Sequence, residues 1–152
     1  MVQTTAEARQ QLLDTVARAT DQIGFALAAL GAAYEQLDDR SADQLEEQLF
    51  RPVQVAYGRA RRIHAEFSSR HGLTGRSFDP PSPGLASTGA KGFIERAVGA
   101  VTRADEELAE LQDSMLPVDV GDPALRAGIA DLRGLIGDIA RRARELVRTI
   151  GR

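Results

Sequence analysis

The sequence predicts an all-α fold: an antiparallel four-helix bundle made of two long helical hairpins with left-handed, coiled-coil-like packing. Three observations predict it. Apolar or small side chains recur at alternating spacings of three and four through four stretches, the rhythm of a helix buried along one seam. Start and stop residues bound those stretches. The chain is 43% hydrophobic but only 5% aromatic, with neither Trp nor Cys. Its core must therefore be aliphatic and alanine-rich, which suits closely spaced helices. At 152 residues the chain fits one domain, large enough to fold without a metal or a disulfide.

The first helix is expected over about residues 5–38, with Leu13, Val16, Thr20, Ile23, Leu27, Leu30, Tyr34 and Leu37 along its seam. Thr4 and Glu7 fit a capping box at its start. Asp38, Asp39 and Arg40 then read as a tight turn, and Ser41 with Gln44 as a second capping box. The second helix, about 41–71, carries Leu45, Leu49, Val53, Ala56, Ala60, Ile63 and Phe67. Pro52 lies inside it, so a kink or break is expected near Gln48 to Arg51. His71-Gly72 supplies a C-cap glycine.

Residues 72–90 are rich in Gly and Pro and show no periodicity. They read as a flexible linker, with Phe78 and Leu85 placed to pin it to the helices. The third helix, about 91–116, carries Ile94, Ala97, Val101, Ala104, Leu108, Leu111 and Met115, and Pro117 closes it. Asp122 as N-cap and Pro123 at the first helical position open the fourth, about 122–150. Its seam is Leu125, Ile129, Leu132, Ile136, Ile139, Ala143, Leu146 and Ile150. Gly24, Ala28 and Ala32, and Gly128, Gly134 and Gly137, mark places for close helix approach or for open solvent.

Net charge is −3, too mild to favour nucleic acid or acidic lipid as a whole-molecule property. The charges are nevertheless sorted. Residues 19–58 hold seven acids and two bases, and residues 104–132 eight acids and one base. Residues 59–76 hold five Arg and one Glu, and residues 133–152 six Arg and two acids. Each hairpin thus has an acidic tip and basic open ends. In up-down-up-down order both acidic tips share one pole. A linker spanning roughly 60 Å when extended also permits a crossover that inverts the second hairpin. Charge complementarity favours the crossover. Preference for short connections and screening of exposed charges over about 8–10 Å favour the plain order, which is the expectation.

Little chemistry is legible. Without Cys there is no thiolate ligand or nucleophile. The chain contains no Glu-x-x-His, so a di-iron or di-manganese centre of the bundle type is not expected. His64 and His71, one heptad apart, read as partly exposed surface residues whose Arg neighbours lower their pKa values. No glycine loop follows a strand, and no catalytic constellation, cofactor or metal site is expected. The N-terminus does not read as a signal peptide, and no apolar run is long enough to span a membrane, so a cytoplasmic protein is expected. The leading functional expectation is a non-catalytic interaction or scaffold module, acting through association with itself or with another protein. The alternative is an anion- or nucleic-acid-binding surface of Arg59, Arg62, Arg141, Arg144, Arg148 and Arg152. Arg141, Arg144, Arg148 and Arg152 form one helical stripe suited to phosphates, or simply cations at the negative end of a helix. A small-ligand pocket inside the bundle, near the Pro52 kink and under the linker, is a second alternative.

Overall fold

The computed structural model describes residues 3–84 and 89–150 and is helical, with no strand among them. Helix α1 spans Thr5–Tyr34. Thr4 caps it as its spacing from Glu7 predicts: the Glu7 N–H donates to the Thr4 hydroxyl at 3.1 Å, and that hydroxyl donates to the Glu7 carboxylate at 2.9 Å. The next helical segment opens earlier than Ser41–Gln44 implied. Asp38 is its N-cap, accepting the Ser41 N–H at 2.8 Å. The carboxylate of an Asp-x-x-Ser pair satisfies the orphan donor.

That segment is α2 (Asp39–Leu45), a π-helical stretch (Glu46–Phe50) and α3 (Arg51–His71) end to end. The expected disturbance at Pro52 takes the form of the π-helical stretch. Proline cannot bond back to the preceding turn, and the Arg51 N–H reaches five residues back to the Glu46 carbonyl, widening the turn instead of breaking it. Gly72 ends α3 in the left-handed region at φ 63°, and the Leu73 N–H closes the cap on the Ser68 carbonyl at 2.8 Å.

Helix α4 covers Gly89–Asp113. It stops before Pro117, because Ser114 donates its hydroxyl to the Leu111 carbonyl at 2.7 Å and Met115 turns left-handed at φ 69°. Pro117 instead sits in the first turn of α5, Leu116–Asp119. Helix α6 runs Pro123–Ile150.

The four long segments pack as α1 against α3 and α4, and α6 against α3 and α4. Every packed pair is antiparallel. Gly24 meets Tyr57 and Gly31 meets Phe50 between α1 and α3. Arg18 of α1 reaches Glu107 of α4, and Arg9 reaches Val120 just beyond the end of α4 and α5. Arg70 meets Asp122 while Ile63 meets Gly128 along α3 and α6. Arg133 and Arg126 reach Asp105 and Pro117 between α4 and α6.

The second hairpin is therefore inverted relative to the first, and the plain up-down-up-down order is not the one formed. Helix α3 ends beside the start of α6, whereas α4 begins near Gln36 at the α1–α2 turn. The connection between α3 and α4 crosses from one end of the molecule to the other. The acidic α4–α6 connection lies against the Arg-rich end of α3. Short connections and screening both favour the plain order, but the connection is long enough to cross, and screening weakens where an ion pair is partly buried, as Asp122 is.

The predicted seams are the core. Every seam residue of α6 except the half-buried Ile150 is buried, as are those of α3 apart from the half-buried Ile63. Tyr34, the last but one of its seam, and Met115, the last of its own, are exposed, and Leu27 and Leu37 are half-buried. Helix α1 buries more than one seam. Leu12, Ala19, Ala26, Ala29 and Ala33 are buried as well, because α1 faces two partners and alanine lets both approach. At Gly24 a Cβ would sit 2.9 Å from the Tyr57 ring, and at Gly128 3.0 Å from Ile63, whereas Gly137 has open space.

Gly24→Ala is expected to destabilise the protein by about 1–3 kcal/mol through overpacking against Tyr57. Gly137→Ala should stabilise it by about 0.5–1 kcal/mol through helix propensity alone. Urea unfolding of the two variants checks both signs; equal effects would show that Gly24 is not a packing contact.

Candidate functional site

Asp122 ties the hairpins together. As N-cap of α6 it accepts the Leu125 N–H at 2.8 Å. The same carboxylate takes a two-pronged contact from Arg70, Nε at 2.8 Å and Nη2 at 2.9 Å. His71 Nε2 approaches it at 2.8 Å. Burial works against the charged form, but the bonds from Arg70, Leu125 and His71 outweigh it and hold the carboxyl well below the usual carboxylate range.

From this node residues 73–84 run as a strap without regular secondary structure. Leu73 and Phe78 pack on the core. Arg76 pairs with Asp21 of α1 and lies 4.1 Å from the Phe78 ring centre. Phe78 meets the His64 ring edge-on at 4.9 Å. The Pro83 carbonyl accepts from Arg96 of α4 at 3.1 Å. Phe78 thus pins the strap as its sequence suggested; Leu85 lies outside the described residues.

The two histidines do not form the expected surface pair. His64 is only 3% exposed, because Phe78 and the strap cover it. Burial, reinforced by the Arg76 charge and opposed by Asp14 and Asp21, pushes its pKa down. His71 is half-buried against Phe67 and Asp122. The sequence marked both as neighbours of arginine, but a long-range contact from an aperiodic segment has no local signature.

The structure divides the six candidate arginines. Arg59 and Arg62 line an open groove of about 300 Å³ between α3 and α6, with Arg70, Glu66 and Asp131 beside them and Ile63 and Gly128 among the lining residues. Arg141 is engaged within its own helix, by Asp138 at 2.5 Å and Glu145 at 3.3 Å. Arg144 and Arg148 are exposed on the last turns of α6, and Arg152 lies outside the described residues. Helix α6 rises from the level of Asp131 to that of Arg141 by roughly 15 Å. The groove pair and the stripe are thus separate, and the single basic pole expected of the plain order does not form.

The surface also holds features that sequence reasoning passed over. Met115 and Val118 stand 50% and 57% exposed at the α4–α6 connection. Tyr34, Glu35, Glu46 and Phe50 gather around a pocket beside the π-helical stretch. Met115 and Tyr34 both fit the apolar rhythm; only the helix ends, which periodicity does not place, turn them outward. The interior between Leu30, Val53, Ile94 and Ile139 has no room for a water molecule.

A neutral buried His64 makes stability pH-dependent. Its folded pKa lies below the ordinary 6.5, so the unfolded chain takes up the proton first and stability falls as pH drops below about 6.5. Asp122 contributes a further loss that begins as pH falls through the ordinary carboxylate range near 3.8, where the unfolded chain takes up the proton while the folded carboxylate stays charged. Thermal unfolding midpoints across pH 5 to 8 (about that range) should decline toward acid in the wild type and flatten in His64→Gln. Parallel profiles would show that His64 is not the titrating group. In comparisons with known proteins, no family model, curated protein or solved structure matches this chain.

Proposed function

We propose that this protein is a non-catalytic interaction or scaffold module of the cytoplasm, one antiparallel four-helix bundle with left-handed, coiled-coil-like packing, that acts by associating with a second copy of itself. The observation that carries this reading is the α4–α6 connection. Of the large apolar side chains exposed among the described residues, Met115 and Val118 sit there together. Leu116 and Val120 beside them rest on the core, so the exposed pair stands on a fixed base. Met115 holds a left-handed backbone, which costs a non-glycine residue about 1–2 kcal/mol. Exposed apolar side chains grouped at such a place suit a contact surface.

A second reading, anion or nucleic-acid binding, keeps the groove pair Arg59 and Arg62, which make no ion pair among the described residues. Glu66 and Asp131 line the same groove and offset them, so this reading ranks below association.

Light scattering after gel filtration tests both. At low micromolar concentration the wild type should run at a multiple of 16.4 kDa, and Met115→Glu combined with Val118→Glu should reduce it to one chain. A wild type that remains monomeric removes the self-association reading. Copurifying nucleic acid that dissociates steeply with salt favours the arginine groove instead.

A further inference from the structure

The last turn of α1 and the π-helical stretch border an open surface pocket of about 290 Å³ lined by Gly31, Tyr34, Glu35, Glu46 and Phe50. Its electrostatics are unusual for a helix end. Glu35 is the C-cap residue of a 30-residue helix whose last turn carries no base. A carboxylate there faces the negative end of the helix dipole, where a cation is preferred. A second carboxylate, Glu46, is half-buried on the opposite wall. Neither has an ion-pair partner among the described residues.

Two rings share the space with these charges. Tyr34 is 38% exposed and Phe50 half-buried. A Cβ on Gly31 would lie 3.9 Å from the Phe50 ring, so that ring rests close against the α1 backbone. Glu46 and Phe50 are the first and last residues of the π-helical stretch, and the widened turn before Pro52 presents both toward α1.

We infer that this pocket binds a small organic cation, an alkylammonium or a guanidinium. The carboxylates and the helix end supply negative potential, and the Tyr34 and Phe50 rings beside them are the groups that attract such ions by cation–π interaction. A hard metal ion wants several oxygen ligands, and among the described residues no three His, Cys, Asp or Glu side chains converge as a metal site. Two carboxylates flanked by aromatic rings match the organic ion better. The inference is independent of self-association, since Met115 and Val118 lie at the other end of the molecule.

The test is an amide NMR titration of the whole chain with agmatine and, separately, choline. Saturable shifts are expected at residues 31–35 and 46–50 with at least one of these cations. Affinity should fall by about tenfold in Glu46→Gln and by a smaller factor in Tyr34→Leu, each variant otherwise keeping the wild-type spectrum. Glu110→Gln, on an acidic stretch of α4, should bind like the wild type. No saturable shift with either cation overturns the inference. So do equal affinities in wild type and Glu46→Gln, a loss in Glu110→Gln as large as in Glu46→Gln, or calcium binding at these residues in place of both organic cations.

Discussion

Asp122 is the point at which the two hairpins become one structure. One carboxylate starts α6, holds Arg70 and His71 at the end of α3, and thereby sets which end of the second hairpin meets which end of the first. Capping alone is worth about 0.5–2 kcal/mol. Arg70 keeps 36% of its side chain exposed, so its pair adds less than a fully buried one would. The importance of the contact lies in direction more than in energy. Aliphatic burial is non-directional, whereas this orientation places an acidic helix start against an arginine-rich helix end.

Inversion changes what kind of molecule the sorted charges produce. With both acidic tips at one pole the protein would be an electrically polar rod. With the hairpins opposed, each end carries both signs, and field-driven attraction of a large anion loses its basis. It also obliges the α3–α4 connection to travel the length of the molecule. The strap this creates buries His64 beneath Phe78 and fastens to α1 through Arg76 and Asp21. A chain segment that looks like a spacer thus becomes part of the packing, and brings a titratable group inside with it.

Much of the architecture was legible because it is periodic. The α3 and α6 seams, Thr4 as a cap, Gly72 as a stop and the Asp122-Pro123 start all depend on residues within one or two turns of each other, and local rules read them. The features that misled are those in which a distant residue decides. Charge segregation was visible, but which pole receives which tip depends on a pair 52 residues apart. His64 looked like a surface residue because Phe78 comes from an aperiodic segment. Pro52 announced a disturbance and a pocket near it, but not that a π-helical turn would absorb the disturbance, nor that rings and carboxylates would line a surface pocket beside that turn. The arginines share a sign and, on α6, a helical spacing, but folding separates Arg59 and Arg62 in the groove from Arg141, Arg144 and Arg148 on α6.

The relative orientation of the hairpins is the claim on which the rest stands, and pairs of spin labels measure it directly. The chain has no cysteine, so labels on Ser69→Cys with Asp119→Cys, and on Arg40→Cys with Asp119→Cys, report cleanly. Inverted hairpins predict a short distance for the first pair and one near the helix length, roughly 40 Å, for the second. The reverse pattern, Arg40 close to Asp119 and Ser69 far from it, would contradict the account.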